Sequence, residues 1–504
     1  MRSKKALYSI LSNFGLQMIV IIYGFIVPKI IISNFGSSVN GLISSITQFL
    51  GYIALLESGF GPVVKATLYN PISKRDKKEI VNILYSTESF FRKISLIFVF
   101  YIVFLSVVYP FIVGNQFDRL YTITLIIIIS INIFAEYYFG MAYRLYLQAD
   151  QKNYVISIIQ IFTYLINIVL IIVMVKINCS VHVIKLVTAF IFILRPVFQN
   201  IYVKKKYNID LNFGDKNYKL PNKWDGLSQH IAAVIHDNTD ITILTLFSTL
   251  NEVSVYSVYY LVIKALKQLV LSFNNGIDAS FGDMIAKKEY DNINKKFNLY
   301  EVIYFAIVTI IFTSALILVT PFISIYTYNV TDVNYIRPLF GYLLITSEYL
   351  WAIRLPYSST TLAAGHFKET RTGAWVEAGL NIFISLLLVS KYGIIGVAIG
   401  TIIAMLVRTI EFIYHTNKFI LKRNILFSIK KIILIIVDTF IILIISSHIY
   451  YFEYSSYLYW IINGFITVFI SSLVVLISNI ILYKNEMLLF VKTLERFFKR
   501  KSVK

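Results

Sequence analysis

Residues 167–202 read NIVLIIVMVKINCSVHVIKLVTAFIFILRPVFQNIY, and residues 381–414 read NIFISLLLVSKYGIIGVAIGTIIAMLVRTIEFIY. Each stretch opens on an asparagine, carries two apolar runs, and meets an arginine late in the second. Arg195 comes 28 positions after Asn167, and Arg408 comes 27 after Asn381. At 1.5 Å per residue each run is long enough, as a helix, to cross a hydrocarbon layer roughly 30 Å thick. LQADQKNY (147–154) matches LAAGHFKETR (362–371) just upstream, and SGFGPVVKATLYN (58–70) has a looser counterpart in NGIDASFGDMIAKKEYD (275–291). The two halves of the chain therefore read as one bundle written twice.

Working outward, 504 residues of which 57% are hydrophobic and 16% aromatic, with a mean hydropathy of +0.71, do not describe a soluble protein. Apolar runs predict about fourteen transmembrane helices. They lie near residues 11–32, 40–68, 82–112, 120–147, 154–175, 181–203, 226–248, 253–285, 297–326, 336–364, 371–390, 394–417, 428–448 and 457–483. None alternates as a barrel strand does. The opening MRSKK imitates a signal peptide, but the apolar run continues past Ile32 with Gly24 and Pro28 inside it and offers no small-residue cleavage site. It is read as a retained first span, its Gly and Pro suited to a bend.

The fold class expected is an all-α integral membrane protein of two six-helix lobes, related by a parallel repeat around a central cavity, plus two C-terminal helices. The basic loop 204–226, with the Pro and Gly of a linker, sets the boundary. Residues 1–203 form the N-lobe, 204–225 a cytoplasmic linker, 226–419 the C-lobe, and 420–504 helices 13 and 14 with a basic tail.

The net charge of +20 (47 Lys and Arg against 27 Asp and Glu) is distributed as topology, not as a nucleic-acid surface. With both termini cytoplasmic, inner segments such as SKRDKKE (73–79) and LKRN (421–424) gather roughly 32 basic residues against roughly 4 outside. A multi-pass protein of the cytoplasmic (inner) membrane follows. The outer connections are short, which argues against an enzyme with an external catalytic domain, and no phosphate-binding loop suggests ATP use. One cysteine, Cys179, excludes a disulfide within the chain, and no Cys/His cluster suggests a metal.

Ionisable groups stand at depth: Glu57, Glu88, Arg92, Glu136, Arg144, Asp237, Asp240, Lys264, Lys267, Asp278, Glu348 and Arg354. At about 2.5–3.5 kcal/mol each on insertion scales, they must face protein or water. Lys264 and Lys267 are three apart on one helical face near the midplane, suited to receive a diphosphate or to form salt bridges between lobes. Lys65 and Arg92 lie nearer the inner mouth, where Lys65 equally suits snorkelling to the interface. Glu57, beside Gly59 and Gly61, is read either as the resting counter-ion of the two lysines or as a hydrogen-bonded core glutamate. Arg354, six after Glu348, echoes Arg144, eight after Glu136, and a repeated structural pair is the preferred reading. His236 and Asp240, four apart on one helical face, and Asp237 and Asp240, three apart, suit proton relay or cation binding.

FGSSVNGLISSITQFLGYIALLESGFGPVVKA (35–66), YRLYLQADQKNY (143–154), AAGHFKETRTGAWVEAGLNI (363–382) and KYGIIGVAIGT (391–401) together carry a family resemblance. Over essentially its whole length the chain resembles the polysaccharide repeat-unit (O-antigen and capsule) flippases of the multidrug/oligosaccharidyl-lipid/polysaccharide exporter superfamily. The resemblance implies movement of a polyprenyl-pyrophosphate-linked oligosaccharide from the inner to the outer leaflet, with membrane lipids and glycan-assembly proteins as partners. It implies no cofactor beyond a coupling ion, Na+ or H+. Relatives that flip the peptidoglycan precursor bind sodium through an aspartate of helix 7, Asn and Asp of helix 11 and Thr of helix 12. Here Asp237 or Asp240, Asn381 and Thr401 match, while Ser385 stands at the second acidic position. The arginines those relatives place on helices 1 and 2 are Ile, Val and Tyr here. The rivals are a cation-coupled multidrug exporter of the same superfamily and a membrane polysaccharide polymerase or ligase.

Overall fold

The computed structural model describes residues 2–449 and 456–501, apart from Ser58, 210, 212–213, 216–217, 219–226 and 287–289. Those residues form helices and connections with no β-strand among them. Among the described residues eleven stretches are long and apolar enough to cross a membrane, where the sequence predicts about fourteen. Large apolar side chains such as Phe100, Phe465 and Ile481 stand exposed, as a lipid-facing surface requires. The chain packs as two compact units, Met1–Ser257 and Val258–Lys504.

In the first unit α1 (Arg2–Phe35) runs unbroken through Pro28. The expected second span is instead three helices, α2 (Ser37–Gly51), α3 (Ala54–Glu57) and α4 (Phe60–Lys74). Gly59, at φ 85°, takes a left-handed conformation that other residues resist, and this turns the chain just after Glu57. Asp76 caps α5 (Lys77–Val113), accepting from the Glu79 amide at 3.1 Å. α6 (Arg119–Ala135) passes through a π-turn at Glu136–Gly140 into α7 (Met141–Ala149). α8 (Asn153–Lys176) lies along α1, where Asn167 Nδ2 donates to the Tyr23 hydroxyl at 2.9 Å, and α9 (Val181–Tyr207) follows. The described part of the linker is pinned to α5: the Asp215 amide donates to Asn82 at 2.9 Å and the Tyr218 hydroxyl to Glu79 at 2.7 Å. Burial, reinforced by Glu79, pushes the Tyr218 phenol up to about 12, so it remains a donor at neutral pH.

α10 (Leu227–Phe247) and the start of α11 (Leu250–Ala286) belong to this first unit because a polar seam joins them to α2. Asn40 donates to Ser254 at 2.8 Å, Ser45 and Thr245 share a bond of 2.7 Å, Gln48 meets Asn238, and Tyr52 reaches Thr242 at 2.8 Å. At Gly41 any Cβ would overlap the Leu250 carbonyl, so the two backbones meet with nothing between them.

The second unit holds the rest of α11, α12 (Tyr290–Tyr326), α13 (Pro338–Ala363), α14 (Arg371–Tyr392), α15 (Ile394–His415), α16 (Leu426–His448) and α17 (Tyr457–Leu482). An additional helix, α18 (Lys484–Lys501), occupies what the sequence presents as a basic tail. Every fourth residue of α17 turns inward, Asn463, Thr467, Ser471, Val475 and Asn479, all but Val475 polar, and Ser471 meets Ser314 of α12 at 3.4 Å.

The strongest tie between α16 and α12 is ionic. Glu301 is fully buried and accepts from Lys431, from Arg423 at 2.9 Å, from Ser428 at 2.8 Å and from Tyr357. At the end of its span, Glu301 has no apolar-run signal to mark it as a core group. Removing a carboxylate that holds two buried cations costs about 3–5 kcal/mol. Glu301→Ala is therefore expected to lower the unfolding temperature in detergent by roughly 5 °C, read by intrinsic fluorescence. A shift below about 2 °C would mean that the cluster contributes nothing to holding α16.

Candidate functional site

In the first unit the break after α3 places Glu57 against the π-turn, where its Oε2 accepts from the Tyr137 hydroxyl at 2.6 Å. One residue earlier in that turn, Glu136 is paired with Arg144. Eight positions would leave these two about 80° apart around a regular helix, and the wider π-turn accommodates the pairing. Arg92 bonds Glu88 one helical turn back at 3.0 Å and lies 5.2 Å from the centre of the Tyr138 ring. Lys65, half-buried on α4, has no ion pair or hydrogen bond among the described residues. Glu57, Arg92, Glu136 and Arg144 thus converge on one polar turn.

In the second unit Lys267 pairs with Glu348 at 3.2 Å, and its ammonium stands 4.7 Å from the centre of the Trp351 ring. Lys264, one turn before, is exposed and 5.2 Å from the Tyr260 ring centre. The expected Glu348–Arg354 pair does not form. Six residues point about 120° apart on a helix, so Arg354 instead bonds Glu377 of α14 at 2.6 Å. Glu377 also takes Arg408 at 3.4 Å, and Arg408 bonds Glu411 at 2.5 Å and the Thr370 carbonyl at 2.8 Å. Glu57 and Lys267 each find a carboxylate or phenol partner inside their own unit.

The expected ion-coupling residues divide. Asp240, buried in the first unit, accepts from the Tyr256 hydroxyl at 2.9 Å. In the second unit Asn381 donates to Thr401 at 3.0 Å. Ser385 joins them, packed so closely on Gly400 that no side chain fits there. The side chains of His236, Asp237 and Asp278 lie outside the described residues. No group of three or more His, Cys, Asp and Glu that suits a metal occurs among the described residues.

Sequence reasoning missed Tyr137, Glu377 and Glu411. Glu377 carried a signal, since it lies one helical turn before Asn381, and both are buried on α14.

No protein-family model matches the chain, and no curated protein matches it in sequence. Solved structures do. The inward closed conformation of the lipid II flippase MurJ superposes with a TM-score of 0.71 at 16% identity, covering 95% of this chain and 99% of its own. The inward-facing conformation of a multidrug resistance MATE transporter gives 0.65 at 16% identity, covering 81% and 97%. A MOP superfamily transporter from Pyrococcus furiosus gives 0.54 at 14% identity, covering 84% and 95%. The fold is that of the MOP-superfamily transporters.

Proposed function

We propose that the chain is a flippase that moves a polyprenyl-pyrophosphate-linked oligosaccharide across the membrane by alternating access. The observation that carries this reading is Lys267, with Lys264 one turn before it, paired with the carboxylate of Glu348 in a MOP fold. A diphosphate brings about two charges and strong acceptors, so it competes for those ammonium groups on better terms than a single carboxylate. Glu57, Lys65, Arg92 and Arg354 are assigned to guiding the headgroup. The MurJ structure supports a lipid-linked substrate. Sequence supports the finer assignment to a repeat-unit glycan, with lobes at 1–203 and 226–419, both termini cytoplasmic and glycan-assembly proteins as partners.

Lobe movement requires the seam between α2 and α10 to part. Its hydrogen bonds contribute about 0.6 kcal/mol each in a bilayer, a few kcal/mol together, which suits a contact that opens and closes. Outward movement of a diphosphate from a negative interior gains roughly 2.3 kcal/mol per charge per 100 mV, so no ATP is needed. In proteoliposomes carrying a fluorescent prenyl-diphosphate oligosaccharide, an inside-negative potential is expected to speed outward flipping at least about tenfold. A rate indifferent to the potential would remove voltage as the driving force.

A second reading rests on the MATE structures and on Asp240, whose buried carboxylate suits a cation-coupled multidrug exporter. Asp237, Asp240, His236, Asn381 and Thr401 are the coupling residues proposed for either reading, with Na+ or H+ as the ion. Ethidium efflux that depends on Asp240, with no flipping of the lipid-linked sugar, would decide for the exporter. Glu57→Gln keeps an acceptor for Tyr137 and is expected to express normally while flipping falls about tenfold, if its charge tunes the cationic groups.

A further inference from the structure

The two repeats pair equivalent residues, and one pairing leaves a charge uncompensated. Thr188 donates to Asn167 at 3.1 Å where Asn381 donates to Thr401 at 3.0 Å, the same pair with donor and acceptor exchanged. Arg195 and Arg408 stand at the same register in their helices, counted from Val181 and Ile394, and each turns to the residue one turn before its asparagine. For Arg408 that residue is Glu377, and Glu411 three positions on adds a second carboxylate. For Arg195 the same two positions hold Thr163 and Phe198.

Arg195 Nε donates to Thr163 Oγ1 at 2.8 Å, and the guanidinium lies 3.8 Å from the Phe192 ring centre and 4.2 Å from that of Tyr164. Its Nη2 is buried and has no acceptor among the described residues. Around it, Asn132, Glu136, Arg144, Gln160 and Gln199 are the other polar residues lining a cavity of ≈ 20 Å³. Two guanidinium groups face one carboxylate there, whereas in the second unit Arg354 and Arg408 face Glu377 and Glu411. The cavity has room for one species about the size of a water molecule and not for a tetrahedral oxyanion. A water would occupy the N–H but leave the excess positive charge standing, whereas a monovalent anion both accepts from the N–H and neutralises it.

We propose that this cavity binds one monovalent anion of halide size, held by Arg195 Nη2. It takes the place of the carboxylate that Glu377 supplies in the other repeat, and it borders the polar turn through Glu136 and Arg144 while using none of the residues assigned to the headgroup.

The test is thermal unfolding of the purified full-length protein in detergent, in sodium gluconate, with chloride or bromide titrated in at constant ionic strength. A saturable rise of about 3 °C is expected. Thr163→Glu restores the missing carboxylate, and is expected to unfold in gluconate where the wild type does in halide and to lose the halide dependence. Arg195→Gln is expected to lose the dependence as well. Bromide crystals are expected to show an anomalous peak beside Arg195. A wild type indifferent to halide, a dependence unchanged in Thr163→Glu, or an equal rise with phosphate at the same ionic strength would each overturn the proposal.

Discussion

With Cys179→Ala as background, oxidising the pair Ser45→Cys and Thr245→Cys to a disulfide is expected to reduce flipping to the protein-free rate, with full recovery on adding reductant. The two oxygens stand 2.7 Å apart across the seam, so the sulfurs that replace them fall within disulfide reach without displacing α2 or α10. The hydrogen bonds they replace are weak enough to break thermally. A covalent bond is not, and it removes the open state altogether. The same result is expected whichever substrate is carried, because it reports the seam and not the headgroup site. Continued transport by the oxidised, fully cross-linked protein would mean that α2 and α10 travel together and that the moving boundary lies elsewhere. Gly41→Val approaches the same contact from the opposite side. Its side chain would strike the Leu250 carbonyl and bias the seam open, which accessibility of a cysteine at Ser254 would detect.

Lys267→Ala is expected to lower flipping by about a hundredfold and also to destabilise the protein, because Glu348 is left buried without its cation. The two effects separate in the double variant Lys267→Ala with Glu348→Gln. Neutralising the stranded carboxylate is expected to restore the unfolding temperature to within about 2 °C of wild type, while flipping stays low because the diphosphate has lost its ammonium. Lys267→Arg keeps the charge and is expected to retain most activity. If the double variant flips at the wild-type rate, Lys267 is only a structural partner of Glu348 and the headgroup must bind elsewhere.

The repeat that opened the sequence proved to be a repeat of bonds. The Asn–Thr pair and the arginine turned back on the preceding helix recur in both units. The pairing of Glu348 with Arg354 failed as an expectation because sequence spacing fixes only the angle between two side chains on one helix. Their partners, Lys267 and Glu377, come from other helices of the same unit. Tyr137 illustrates the same limit: nothing in EYYFG distinguishes the tyrosine that meets Glu57 from its neighbour, which lies beside Arg92. Gly59 was legible as a neighbour of Glu57, but not as the turn that ends α3.

By itself the sequence determined the environment. The length and apolarity of each run oblige it to be helical in a bilayer, where every backbone group must be satisfied within its own segment. The spacing of those runs set where the long apolar helices lie, although the second expected span is broken into α2, α3 and α4. Only the tertiary structure decided which buried charges neutralise one another, because in a low-dielectric interior that choice depends on distances of a few ångströms between residues far apart in the chain. That is why Glu301 with Lys431, and Arg195 with its unfilled acceptor position, came to light only when the helices were packed.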